Sequence, residues 1–301
     1  MGRNPKTGEH LIPDSGIIMS SGSPDHFCWN DSDQMTKIWE QTVGDADLNE
    51  ILGGGLTYDE CVLEFDFKCN PDSSVASQQV KFNYVFGSEE YYEYVSSDFN
   101  DAFAFLLNGE NIAKLPSGET VSINTVNYET NPEYFLGNDV DAGGIEHPWI
   151  EADGLTVPLQ AIGIPDQSLE WQHIKIVVAD VADRLLDSYV LIQANSFACI
   201  DSPESPSTIP SAEPSSVPSV TVEPPVAVDD ETTNKPTKSE CMIFDTKPAE
   251  DLVENVFKDP GGKVEFKNIT ASAHDCFKYF YNGRKFIYLS SISSILLFLS
   301  Q

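Results

Sequence analysis

The sequence predicts an all-β fold: an antiparallel two-sheet β-sandwich with one short helix, followed by a Pro/Ser linker and a small partial domain. Three observations carry this. Apolar and polar residues alternate with period two in many short runs, the pattern of half-buried strands. Aromatic residues, mostly Phe and Tyr, make up 11% of a 301-residue chain, enough apolar mass for a real core. Proline then recurs at 206, 210, 214 and 218, each followed by Ser, which marks a boundary after residue 200.

The first element is absent where a leader would stand. MGRNPKTGEHLIPDSG has no apolar core of signal-peptide length, and Lys6 breaks the myristoylation pattern. The missing leader is read as N-terminal truncation and not as a cytoplasmic location. A short helix is expected over Asp47–Leu52, capped by Asp45 or Asp47 and ended by Gly53-Gly54-Gly55. Leu63, Phe65 and Phe67 then alternate with Glu64 and Asp66, and Val80, Phe82, Tyr84 and Phe86 with Gln79, Lys81 and Asn83. Phe103, Phe105 and Leu107 form a third run, and Val121 and Ile123 start another. Ile174, Ile176 and Val178 alternate with His173 and Lys175, and Val190, Ile192 and Ala194 follow. Many such strands with little helix suit a two-sheet sandwich.

The Pro-Ser-x-x repeat cannot pack as helix or sheet, because proline fixes φ and lacks a donor. Residues 201–239 therefore form an extended linker, either an O-glycosylated stalk or a plain solvated connection. Beyond it, Pro248–Phe257 reads as an amphipathic helix, Gly261-Gly262 as a turn and Lys263–Thr270 as a strand. The apolar run Phe286–Leu299 is shorter than the about 20 residues of a membrane span. Residues 286–301 read either as non-native sequence or as a C-terminal anchor.

The formal charge is −31, and residues 1–200 carry −25 of it, with 33 acidic against 8 basic residues. A chain this acidic repels phosphate backbones and anionic membrane surfaces, so no nucleic-acid partner is expected. Its natural counter-partners are cations. Six cysteines at 28, 61, 69, 199, 241 and 276 show no CxxC spacing. Four precede the linker and two follow it, which fits disulfides within each part: Cys28, Cys61, Cys69 and Cys199 are the candidates before the linker. Free buried thiols are the alternative. Cys61 and Cys69 bracket one strand, roughly 25 Å apart if extended, and should not pair with each other. Asn30 and Asn268 lie in glycosylation sequons.

The chemistry concentrates in two acidic connections. Glu89, Glu90, Asp98, Asn100 and Asp101 lie between the strand ending near Phe86 and the one starting near Ala102. Asp180, Asp183 and Asp187 join two further strands. If both connections sit at one end of the sandwich, their hard oxygens could converge on Ca²⁺, which takes six to eight such ligands. The alternative is a set of solvated loop charges. Tyr91, Tyr92 and Tyr94 could stack on a sugar or a partner's groove, or pack against the sandwich edge. Glu89 or Glu90 with Asp180 could on paper form the carboxylate pair of a glycoside hydrolase. No GxSxG, HExxH or P-loop accompanies them, and the expectation is that the chain is not an enzyme.

Taken together, these residues resemble a known family. Gly16-Ile-Ile-Met-Ser-Ser-Gly22, Asp45-Ala-Asp47-Leu48, Thr57-Tyr-Asp59 and Leu63–Phe67 occur in order. Phe82–Val95, Phe99–Phe105, Val121–Asn127, Gly154–Thr156, His173–Ile176, Ala179-Asp-Val181, Asp187-Ser188 and Ser196-Phe197 follow. Over roughly residues 11–198 this is similar to the choice-of-anchor L domain. The resemblance implies a secreted or surface-displayed sandwich of undefined molecular activity, which interacts with an extracellular protein or glycan. It also implies that the start of the domain, a helix, a Gly-Gly turn and a strand, is missing before Gly16. Asp245–Phe257 with Gly261–Thr270 looks like that start. The expected layout is a sandwich over 1–200, a linker over 201–239 and the start of a second similar domain over 240–285.

Overall fold

The alternating runs become strands in the computed structural model, which describes residues 12–28, 37–38, 44–69, 78–139, 150–201, 242–245, 248–258, 264–272 and 275–282. In chain order the elements are β1 (Ser15–Ser20), α1 (Ala46–Ile51), β2 (Thr57–Cys69), β3 (Gln78–Ser88), β4 (Ala102–Leu107), β5 (Glu110–Asn111), β6 (Phe135–Gly137), β7 (Gly154–Thr156), β8 (Leu159–Gly163), β9 (Gln172–Val181), β10 (Ser188–Gln193), β11 (Ala198–Asp201), β12 (Met242–Asp245), α2 (Ala249–Val256), β13 (Val264–Ala271) and β14 (Phe277–Asn282).

Two antiparallel sheets result. One runs β12-β14-β1-β10-β3-β7-β6, with β11 and β8 also paired to β3. The register puts β10 and then β11 along one edge of β3, and β7 and then β8 along the other. The second sheet runs β13-β2-β9-β4-β5. The architecture is the expected sandwich.

Alternation sorts the strands' two faces. Phe65 and Phe67 of β2, Phe82, Tyr84 and Phe86 of β3, and Phe103 and Phe105 of β4 all point into one core. Aromatic rings meet edge-on across the sheets: Phe82 and Phe105 at 4.8 Å, Tyr84 and Phe105 at 4.9 Å. Burying each such ring contributes about 1.5–3 kcal/mol. The outer faces are covered as well. Leu48 of α1 lies over Ala102, Ala104, Leu106, Val177 and Ala179, so β4 is buried on both faces. Asp45 caps α1 by accepting from the Leu48 N–H at 2.9 Å. Gly53 and Gly54 follow with φ of 73° and 100°, and the helix stops there.

Three expectations are corrected. Val121 and Ile123 are core residues but not a strand. Their segment is tied into turns, the Ser122 N–H donating to Thr125 Oγ1 at 2.9 Å and the Asn127 amide to the Ile123 carbonyl at 2.9 Å. Disulfides do not stay within each part. Cys61 pairs with Cys276 and Cys69 with Cys199, while Cys28 is disulfide-bonded too. Cys61 and Cys69 do not pair with each other, as their separation requires. Finally, residues 242–282 do not stand apart from the sandwich: β14 pairs with β1, β12 with β14 and β13 with β2. Leu252, Val253, Val256 and Phe257, from α2 and its C-cap, join the main core, with Phe257 4.9 Å from Phe65. Residues 202–241, 283–301 and Asn30 lie outside the described residues, and with them nearly all of the linker and the apolar tail.

Candidate functional site

Strand ends gather the acidic residues at one pole. Ser88 at the end of β3 faces Ser188 at the start of β10, and Ser20 at the end of β1 faces Tyr189. In the other sheet Ala102 faces Ala179, and Tyr58 faces Asp180. Glu89, Glu90, Asp101, Asp180 and Asp187 therefore meet at the same end of both sheets, and all five are buried.

Their partners differ. Asp101 ties three strands together: its carboxylate accepts from the Val181 N–H at 2.8 Å and from the Ser188 hydroxyl at 2.7 Å. Asp187 accepts from the Lys37 N–H at 2.8 Å and lies 3.6 Å from His26 Nδ1. A Cβ at Gly22 would collide with that carboxylate, so the chain passes Asp187 only because residue 22 is glycine. Asp180 is 0% exposed, and both of its carboxylate oxygens lack a hydrogen bond. The Ser21 hydroxyl lies close enough to favour its charge without good geometry. Glu90, 2% exposed, likewise leaves Oε2 without a hydrogen-bond donor. The Tyr189 hydroxyl is buried without a partner, in the field of Glu89, Asp187, Glu151 and Asp180.

Burial and mutual repulsion push these groups toward their neutral forms. Glu90 is raised to about 9 by burial and then by the charges of Asp101, Asp183 and Glu93. Asp101 is raised to about 8, chiefly by burial, with its two hydrogen bonds working the other way. Asp180 is raised well above the carboxylate range by burial and by Asp101, Asp187 and Asp59. Asp187 is raised by burial, with His26 opposing. At the rim, Arg184 pairs with Asp59 at 2.5 Å and stands 5.0 Å from the Tyr58 ring.

Not every expected ligand is brought in. Asp98 is exposed, and Asn100 spends its side-chain oxygen on the Asn124 N–H at 2.9 Å. Asp183 is half-buried and accepts from the Leu185 N–H. Conversely Asp59, Glu151 and Tyr189 belong to the cluster although they lie outside the two acidic connections. Asp59 lies inside the Thr57-Tyr-Asp59 block, which offered a signal; Glu151 had none. The pole is a pocket of negative charge and not a finished coordination shell: among the described residues no three His, Cys, Asp or Glu side chains are already spaced to hold a metal.

The tyrosines mostly pack. Tyr91 is fully buried and donates its hydroxyl to the Val126 carbonyl at 2.8 Å, so it offers no face to a ligand. Tyr94 lies edge-on to Phe99. Tyr92 stacks on Tyr128 at 5.3 Å, and Tyr128 is 45% exposed. Asn268 is exposed, and its amide donates to Asp66 Oδ2 at 2.6 Å.

An open cleft lies elsewhere. A space of about 510 Å³ opens at the opposite pole between Leu107, Ile112, Leu115, Tyr134 and Ile162. Among the described residues no helix is long and apolar enough to cross a membrane.

The family model of the choice-of-anchor L domain matches residues 2–198. No curated protein and no solved structure matches the chain.

Proposed function

Since the chain belongs to the choice-of-anchor L family, which suggests a cell-surface module and is not a known enzyme family, we propose that it is a non-enzymatic extracellular module for adhesion or matrix interaction, stabilised by Ca²⁺ at its acidic pole. One observation supports this most. Both carboxylate oxygens of Asp180 and Oε2 of Glu90 are buried without a hydrogen bond, close to the charges of Asp101 and, for Asp180, Asp187. Leaving charged groups buried and uncompensated costs several kcal/mol, and protons or a cation must offset it. The available donors are carboxylate, hydroxyl and backbone oxygens, the set a hard divalent ion takes. Glu89, Glu90, Asp101, Asp180 and Asp187 would hold the ion, each shifting its side chain toward it.

The test is a thermal melt of the full chain with Ca²⁺ and then with EDTA. A ligand bound by the folded state alone, at 100-fold excess over Kd, adds about 2.7 kcal/mol. A rise in Tm that EDTA reverses and Asp180→Asn removes is expected. An unchanged Tm for the wild type would refute the ion. Adhesion is tested separately, with beads carrying the chain: Ca²⁺-dependent clustering is expected, and dispersed beads in both conditions would refute it.

A carbohydrate-binding reading rests on the Tyr92–Tyr128 stack, a flat aromatic surface with one exposed ring. A glycan array on the wild type and Tyr128→Ala decides it: no sugar-specific signal, or a signal untouched by the substitution, removes this alternative. Glu89, Glu90 and Asp180 are buried, which weighs against their use as a hydrolase pair on an incoming sugar.

A further inference from the structure

Residues 242–282 are joined to the rest of the sandwich through 202–241, yet they complete it on several sides at once. β14 and β13 cover the edges of β1 and β2, one in each sheet. Leu252, Val253, Val256 and Phe257 fill the core over Phe65, Phe82 and Phe197. Cys276 closes the arrangement by bonding Cys61. Without this segment, β1 and β2 would be open edges, which template pairing with another chain.

We propose that residues 12–201 form an acceptor for residues 242–282, and that the acceptor takes this segment from a second copy of the chain as well as from its own. Two features make the docking independent of how the segment is tethered. First, the tether far exceeds what closure needs. The register puts Asp201 and Met242 at the same end of one sheet. They are three strand positions apart there, roughly 15 Å. The intervening stretch 202–241 reaches about 130 Å when extended. Second, β14 docks by main-chain pairing along the edge of β1 that β10 leaves open, Tyr281 opposite Ser15, and that pairing is the same whichever copy supplies the strand.

A tether of this kind gives an effective concentration of the order of mM. The self-closed monomer therefore wins in dilute solution, and exchange takes over where copies are crowded, as on a surface. The Cys61–Cys276 bond then records which copy supplied the segment.

That record is the test. Full-length chain is made with ¹⁴N and with ¹⁵N, mixed, reduced and unfolded. It is then refolded at low and high concentration with oxidised glutathione, which takes up the two electrons and two protons released by each Cys61–Cys276 pair. The expected result is a Cys61–Cys276 cross-linked peptide carrying one label on each side, eluting with dimer. It should rise about tenfold or more between about 5 and about 500 µM, toward the tether's own effective concentration. Same-label peptides alone at both concentrations would overturn the proposal. A second variant deletes residues 203–240. Its remaining tether reaches only about 11 Å, too short for self-closure. It should be a dimer whose Cys61–Cys276 bonds all join different chains. A monomer with that bond intact would overturn the geometry. Should the variant aggregate, the isotope experiment on the wild type still decides.

Discussion

The two poles of the sandwich differ in their chemistry. At one, Glu89, Glu90, Asp101, Asp180 and Asp187 crowd where β3, β4, β9 and β10 end or begin. At the other, Cys69 and Cys199 tie β2 to β11, and Lys267 lies 3.9 Å over the Trp171 ring. An apolar cleft opens there, with Ile162 and Ile164 48% and 70% exposed. The Cys69–Cys199 bond itself does not titrate, although His173 pairs with Asp66 near it and a second bond, Cys61–Cys276, lies close to the acidic pole. The acidic pole is conditional, since its cohesion depends on what neutralises it. One scaffold thus carries a permanent clamp, Cys69–Cys199, a strand's length away from a responsive acidic cluster.

The largest effect should come from breaking the permanent clamp. Replacing Cys69 and Cys199 by Ser is expected to cost about 2–5 kcal/mol in urea denaturation. The loss should be the same at pH 5.5 and 8.5, and a strongly pH-dependent loss would mean that the poles are coupled.

Next is the ion. Saturating Ca²⁺ should stabilise by about 2.7 kcal/mol at 100-fold excess over Kd, and more at pH 8.5 than at 5.5, because its ligands must first lose protons. An equal gain at both would place the ion elsewhere.

In EDTA the trend reverses. Glu90 at about 9 and Asp101 at about 8 hold their protons more tightly folded than in an unfolded chain, whose groups titrate in the ordinary carboxylate range. Each therefore contributes fully to stability below that range and progressively less as pH rises through its folded value. Urea midpoints should fall steadily from pH 5 to 9. Asp180→Asn removes one buried charge at nearly constant shape, and in EDTA at pH 8.5 it should stabilise by about 1–3 kcal/mol. A destabilised variant would show that Asp180 already has its compensation.

The smallest effect belongs to the surface. Tyr128→Ala should alter stability by at most about 0.5 kcal/mol. A larger loss would make the Tyr92–Tyr128 stack a structural feature of the loop.

Much of this was legible in the sequence because the sheets bury one face cleanly. The runs through Phe65, Phe82, Phe103, Ile176 and Val190 alternate, and each is a strand. A cap for α1 at Asp45 or Asp47, of which the structure uses Asp45, and α2 within Pro248–Phe257 are legible from local signals alone. The acidic connections could be placed at strand ends, but not sorted. Asp101 turns inward because Val181 and Ser188 supply donors, whereas Asn100, one residue earlier, is held outward by Asn124. Both depend on register between distant strands. Val121 and Ile123 imitate a strand because short alternation does not distinguish a pleat from successive turns. Cysteine spacing is silent on pairing, so a bridge across the linker from Cys61 to Cys276 could not be read.

The strand directions carry one more consequence. The pairings put Ser15, Asp201, Met242 and Asn282 all at the pole away from the carboxylates. The eleven residues of β3 separate the two poles by roughly 35 Å. An attachment made at that end would hold the module by its base and turn the acidic face outward.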